Sequence, residues 1–169
     1  VYYFWAALKL GAPERPVAFT VPTGNFGNVY AGYAAKQMGL PIHHFVIGSN
    51  TNDILPRFFE TGAMTMSGVV PTYSPSMDIQ VSSNFERLLF EMNDRDGGLT
   101  AEQLQRFRAS GRLSIEADQR AKDIEGVSTA ACLDEAETLE VIRRTFALTG
   151  MLLDPHTAVG VGAAEQVQH

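Results

Sequence analysis

Val17-Ala18-Phe19-Thr20-Val21-Pro22-Thr23-Gly24-Asn25-Phe26-Gly27-Asn28-Val29 carries the chain from one kind of secondary structure into another. Val17–Val21 is a short apolar run of the kind that forms a buried strand. From Asn25 to Met38, apolar or small residues recur at Phe26, Val29, Tyr30, Tyr33, Ala34 and Met38. That spacing predicts a helix, and Gly39 closes it. Between strand and helix, Pro22–Asn28 holds two glycines, two asparagines and a threonine. The first turn of a helix has N–H groups without intrahelical partners, and the helix dipole adds partial positive charge there. Gly24 and Gly27 let backbone approach a ligand and adopt positive φ where needed. The stretch therefore reads as a cradle for a phosphate or another small anion, or as a plain capped turn, which uses the same residue types. No Gly-Lys-Ser/Thr follows, and the two glycines stand three apart, so neither the Walker loop nor the dinucleotide fingerprint applies.

Ile42–Ile47 is a second β-like run. Strand, glycine loop, helix and strand make a βαβ unit, which implies parallel strands and a right-handed crossover. The expected fold class is α/β, an open twisted, mostly parallel sheet with helices on both faces. In such sheets ligands lie beyond the carboxyl ends of the strands, where the glycine loop stands. Outward from this unit, Val1–Leu10 reads as a helix ended by Gly11 and Pro13, and Asn52–Gly62 as a short helix with Asp53 in its first turn. Val69–Tyr73 reads as extended. Ser83–Asn93 is an amphipathic helix with Phe85, Leu88, Leu89 and Met92 on one side. Gly97-Gly98 breaks the pattern, and Thr100 caps a helix that runs to about Ala109. Leu113–Ile115 reads as a short strand. Asp134–Thr149 is a helix with Ala136, Leu139, Ile142, Arg143 and Phe146 along one face. The run Gly150-Met151-Leu152-Leu153 reads as a buried strand-like segment that puts Asp154 at a strand's carboxyl end, before a Pro-led helix. Residues 110–130 carry no functional signal.

Thr23-Gly24-Asn25-Phe26-Gly27-Asn28 resembles the cofactor-phosphate loop of threonine synthases, pyridoxal-phosphate enzymes of the tryptophan-synthase-like fold. Four further segments stand in that family's order. They are Thr51-Asn52-Asp53-Ile54-Leu55, Ser74-Pro75-Ser76-Met77-Asp78-Ile79, Val81-Ser82-Ser83-Asn84-Phe85-Glu86-Arg87-Leu88-Leu89, and Asp154-Pro155-His156-Thr157-Ala158-Val159-Gly160. The resemblance implies pyridoxal 5'-phosphate as cofactor, held by Thr23, Gly24, Asn25, Phe26, Gly27 and Asn28. It implies a carbon–oxygen lyase of amino-acid biosynthesis that turns O-phosphohomoserine and water into threonine and phosphate by β,γ-replacement. Asp154, His156 and Thr157 would wall the cofactor ring or the substrate. As cap alone, Asp154 serves the same helix equally well.

The resemblance also marks what is missing. The lysine that forms a Schiff base with the cofactor stands, in the family, in a string upstream of the glycine loop. Lys9, Lys36 and Lys122 are in other contexts and read as surface charges. The partner of the pyridine nitrogen falls beyond His169. No catalytic residue is therefore assigned in the chain. It starts without Met in an aromatic-rich stretch and ends in a helix-like run, so both ends read as cut. Residues 1–169 are expected to be one domain, part of a large cofactor-binding domain whose remaining chain is its partner. Two alternatives stay open: another same-fold lyase such as a serine/threonine dehydratase, or a non-catalytic anion-binding fragment. The Asn84-Phe85-Glu86-Arg87-Leu88 run speaks against the first.

Composition sets outer bounds. The 169 residues carry a net charge of −6, which argues against a nucleic-acid partner held by phosphate neutralisation. No apolar run reaches membrane-spanning length. Cys132 is the single cysteine, which forbids an internal disulfide, fits a cytoplasmic setting and reads as a small buried hydrophobe. His43 and His44 are neighbours on a strand and point to opposite faces, a poor arrangement for one metal, so no metal site is expected.

Overall fold

The computed structural model describes residues 1–122, 126 and 128–167. Its first half is the βαβ unit. Strand β1 (Val17–Pro22) leads through the glycine loop into helix α2 (Gly27–Gln37), which returns to strand β2 (Ile42–Ser49). The two strands are parallel, with Phe19 opposite Phe45 and Val21 opposite Ile47. A third parallel strand, β5 (Ser128–Cys132), pairs with the other side of β2, giving the order β1-β2-β5. An antiparallel ribbon of β3 (Ala63–Thr65) and β4 (Arg112–Ser114) lies apart from this sheet.

Strand alternation gives the sheet two apolar faces. On one, Val17, Val21, Phe45 and Ile47 meet α1 (Tyr2–Lys9), α2, α3 (Ile54–Thr61) and α4 (Phe85–Met92). The Tyr3 ring stands edge-on to Phe19 at 4.8 Å, and Phe58 edge-on to Phe85 at 4.7 Å. On the other face, Val46 packs with Leu133, with Val141 of α7 (Glu135–Thr149) and with Ala158 and Ala163 of α8 (Pro155–Val167). Helix α8 lies close because small residues face it: a methyl on Gly48 would be 3.2 Å from the Ala163 Cβ, and one on Gly160 would be 3.1 Å from the Pro22 ring. Helices α5 (Gly97–Ser110) and α6 (Ala117–Arg120) complete the element order.

Four local expectations are corrected. Gly97-Gly98 does not break the helix but begins α5. Asp96 is the cap, its carboxylate accepting the Leu99 amide at 2.9 Å, and a good cap carries two glycines in the first turn. Residues 69–73 form no strand; this segment is held by side chains instead. In α7 the face drawn through Leu139 and Phe146 is the outer one, 50% and 54% exposed, while Thr138 and Val141 are buried. Residues 151–153 are not a strand: Gly150 ends α7 with φ 74°, and Met151 and Leu152 are 62% and 74% exposed. Two readings of side chains also fall. Cys132, at the end of an edge strand, is exposed rather than buried, and partial desolvation with nearby Asp53, Glu137 and Asp134 pushes its thiol titration up. Lys36 is half-buried and donates to the Ile42 carbonyl, so it is not a solvated charge. The last two residues of the expected carboxyl-terminal helix, and part of the 110–130 stretch, lie outside the described residues.

Candidate functional site

The glycine loop leaves β1 where the sheet ends. The Thr23 amide continues the ladder onto the Gly48 carbonyl at 2.8 Å, and the Thr23 hydroxyl turns back to the Val21 carbonyl at 2.6 Å. The chain then reverses at Phe26, whose φ is 64°. A non-glycine residue in this region is strained. Here the strain is offset by burial: the Phe26 ring is 2% exposed and packs against Phe59 and Phe85. The positive φ expected of a glycine therefore falls on the residue between the two glycines.

Both glycines answer to protein neighbours. A Cβ on Gly24 would stand 2.4 Å from the Ser76 carbonyl oxygen, in the 3-10 turn Pro75–Met77. One on Gly27 would stand 3.2 Å from the Asn84 side-chain amide. Ser82 donates its hydroxyl to the Gly24 carbonyl at 2.9 Å, and the Asn84 amide donates to the Asn25 carbonyl at 3.0 Å. Ser83 donates to the Asn25 side chain at 3.4 Å. The Ser82-Ser83-Asn84 run, which by itself reads as a helix start, is thus a brace for the loop. Tyr3 is a second brace. Its hydroxyl reaches the Asn28 carbonyl at 3.1 Å and the Asn28 side-chain oxygen at 3.0 Å, and burial pushes its pKa up to about 12.

The carbonyls of Gly24, Asn25, Phe26 and Asn28 are taken. Among the described residues, no protein acceptor meets the N–H groups of Gly24, Asn25, Phe26, Gly27, Asn28 or Val29. Six successive donors at the start of an 11-residue helix, with no side-chain cap, can receive an anion with two or three oxygens. The loop is presented by the 3-10 turn, which is itself fixed by buried polar groups. Asp78 accepts from the Asn50 side chain at 2.8 Å, the Asn52 side chain at 3.1 Å, the Thr72 hydroxyl at 2.6 Å and the Thr72 amide at 2.8 Å. Asn50 and Asn52 are 1% and 3% exposed. Asp78, which reads from sequence as a turn residue, is the hub of this network. Thr72 is 6 residues from Asp78, but Asn52 and Asn50 are 26 and 28 residues away, so no local pattern announces the network.

Asp154, His156 and Thr157 form a cluster of their own. Asp154 caps α8, accepting the His156 amide at 3.0 Å, the Thr157 amide at 3.2 Å and the Thr157 hydroxyl. The Thr157 hydroxyl first, then these amides and the nearby imidazole, hold its carboxyl below the ordinary range. His156 Nδ1 lies 3.4 Å from the carboxylate, and its buried Nε2 has no hydrogen-bond partner among the described residues. Among the described residues, no hydrogen bond joins this cluster to Thr23–Asn28. What they share is Pro22, the last residue of β1, against which Gly160 of α8 rests. Asp53 pairs with Arg57 at 2.8 Å, as the i,i+4 spacing predicts. His44 hydrogen-bonds Thr129 at 2.9 Å, and burial followed by the charges of His43 and Lys36 lowers its titration.

No family model matches the chain. Threonine synthase of Pseudomonas aeruginosa is 51% identical over 166 residues, covering 98% of this chain and 35% of that protein. The solved structure of the PLP-bound threonine synthase from Brucella melitensis superposes with a TM-score of 0.94 at 50% identity, again over 98% of this chain and 35% of that one. The chain is homologous to a segment of threonine synthase. Threonine synthase of Saccharomyces cerevisiae, 39% identical over 185 residues, extends the similarity to a distant organism with 98% and 35% coverage. The chain spans about 35% of the length of the curated threonine synthases it matches. The α/β fold with a parallel sheet is the threonine synthase fold over this segment. No described helix is long and apolar enough to cross a membrane.

Proposed function

We propose that the chain is the part of a threonine synthase large domain that holds the phosphate of pyridoxal 5'-phosphate. The complete enzyme would convert O-phosphohomoserine and water to threonine and phosphate, in the cytoplasm. The observation that carries this reading is the run of unpartnered amides from Gly24 to Val29 at the amino end of α2. A phosphate dianion fits it: short, oriented donors and a helix dipole supply attraction that the net charge of −6 does not. The similarity to a PLP-bound enzyme supports the same assignment.

When bound, pyridoxal 5'-phosphate supplies the electron sink of the reaction. The residues of this chain do the holding. Amides of Gly24 to Asn28 bind the phosphate, and the buried Phe26 ring fixes the bend that aims them. Ser82, Asn84 and Tyr3 keep the loop carbonyls turned away. Asp154, His156 and Thr157 are assigned to a wall of the same crevice, supported by the contact of α8 with Pro22 and by the unpartnered His156 Nε2. The lysine that carries the cofactor is assigned to polypeptide outside these 169 residues.

The test is cofactor affinity in the complete enzyme with Gly27→Val. The added side chain displaces the Asn84 amide and tilts the loop. Losing a charge-assisted hydrogen bond weakens cofactor binding by about ten- to a hundredfold. Substrate affinity changes less. An unchanged cofactor dissociation constant would overturn the site.

A further inference from the structure

We propose that the cavity between α4, α5 and the β3–β4 ribbon binds a free apolar α-amino acid, and that its occupancy is felt at the glycine loop. The cavity measures about 350 Å³. Its deep walls are Met64, Phe85, Phe107 and Leu113, all buried, and Met66 and Val81 form an apolar lip. Such a wall accepts an aliphatic side chain, and its two methionines adapt to shape. The charged groups at the cavity are Glu86 in the first turn of α4 and Arg108 in the last turn of α5. Both are exposed, and neither makes an ion pair or hydrogen bond among the described residues. One guanidinium and one carboxylate at an apolar cavity match the carboxylate and ammonium of a zwitterion. A polypeptide segment is a poorer fit. Its buried amides would need partners, and the serine hydroxyls at the cavity, Ser82 and Ser83, are already given to Gly24 and Asn25.

Those two hydroxyls are also the link. Ser82 and Ser83 line the cavity and brace the glycine loop, at 2.9 Å and 3.4 Å. A ligand that presses on this turn shifts the loop that presents the amides. The coupling rests on the reading of that loop as a phosphate cradle; the binding itself does not.

The experiment is isothermal titration of the complete, cofactor-free protein with leucine, leucinamide and N-acetylleucine. Leucine is expected to bind, and each charge-blocked form to bind about tenfold more weakly or worse. Arg108→Ala should abolish the preference for leucine over leucinamide, and Glu86→Gln the preference over N-acetylleucine, with melting temperatures unchanged. Inorganic phosphate is then titrated with and without saturating leucine. A change in its dissociation constant, matched by an equal change for leucine in the presence of phosphate, is the expected linkage. No binding of leucine at millimolar concentration, or equal binding of all three probes, overturns the site. Leucine binding with phosphate affinity unchanged overturns the coupling. Absence of phosphate binding with leucine binding intact would strike the cradle assignment and leave the amino-acid site standing.

Discussion

A methyl group on Gly24 would stand 2.4 Å from the Ser76 carbonyl oxygen, with the Met77 Cα at 3.3 Å. Two backbones in contact leave no flexible side-chain end to move aside. Gly24→Ala is therefore expected to force the Pro75–Met77 turn off the loop and to cost about 1–3 kcal/mol, the usual range for overpacking. Denaturant unfolding of the complete protein checks this, and a loss under 0.5 kcal/mol, the ordinary range for a surface change, would contradict the contact. Tyr3 offers a milder probe. Tyr3→Phe keeps the ring against Phe19 and Phe45 and removes only the hydroxyl that holds Asn28. The expected stability loss is about 1 kcal/mol. On the proposed phosphate reading of the loop, cofactor affinity should fall severalfold with it, because the carbonyl and side chain of Asn28 would be freed to turn toward the phosphate. Unchanged affinity with lowered stability would make Tyr3 a core residue and nothing more.

At the scale of elements, Asp154 separates capping from chemistry. As a cap it is replaceable by Asn, while Asp154→Ala costs about 1 kcal/mol. Its titration is depressed in the fold, so its stabilisation is fully present above the ordinary carboxylate range and is lost as pH falls through the lowered value. The gap in stability between wild type and Asp154→Ala should thus be constant near neutrality and close in acid. If Asp154→Asn keeps the melting temperature but slows turnover of the complete enzyme, the carboxylate acts beyond the cap. Normal turnover would leave capping alone. The βαβ unit was legible because its signals are local: apolar runs at Val17–Val21 and Ile42–Ile47, helical spacing after Asn25 and a Gly at position 39. Helix α7 was legible in its bounds but not in its orientation, and its Asp134 and Glu137 capping box emerges only in the structure. Apolar spacing at Leu139 and Phe146 marks one face, yet the side that carries Thr138 and Val141 is the one against α8. Strand β5 was missed because Ser128-Thr129-Ala130-Ala131-Cys132 has no apolar alternation; it is held by the register with Phe45–Ser49. The residue types of the loop, two glycines among Thr23, Asn25 and Asn28, were legible, and their reading as a phosphate cradle stands as the proposal. The loop's braces, Tyr3 and Ser82 to Asn84, come from 25 and 58 residues away and depend on tertiary placement.

At the scale of the whole molecule, apolar surface and lysine placement lead to one expectation. Tyr2, Trp5 and Leu8 of α1 are 88%, 64% and 61% exposed, although Tyr3 and Ala7 of the same helix are buried. A helix apolar on both sides calls for a covering layer, and β1 and β5 each pair on one side only among the described residues. Among the described residues, none of the three lysines hydrogen-bonds the loop, although Lys36 and Lys122 line one pocket with Phe26 and Val29. Lys9 stands over the Trp5 ring at 5.6 Å, and Lys122 lies 3.5 Å from Asp94. Lys36 is nine residues along α2 from Gly27, about 13 Å at helical rise. The isolated 169-residue chain is therefore expected to release no phosphate from O-phosphohomoserine when supplied with pyridoxal 5'-phosphate. Borohydride treatment should leave only substoichiometric label spread over these three lysines, whereas the complete enzyme should be labelled once, at a lysine outside the segment. Phosphate release is the direct readout, and a hydrophobic dye reports the uncovered α1 face in the same sample. Turnover by the isolated chain, or stoichiometric label at Lys36, would show that the reacting amine is already present and would overturn the assignment of that role to another part of the polypeptide.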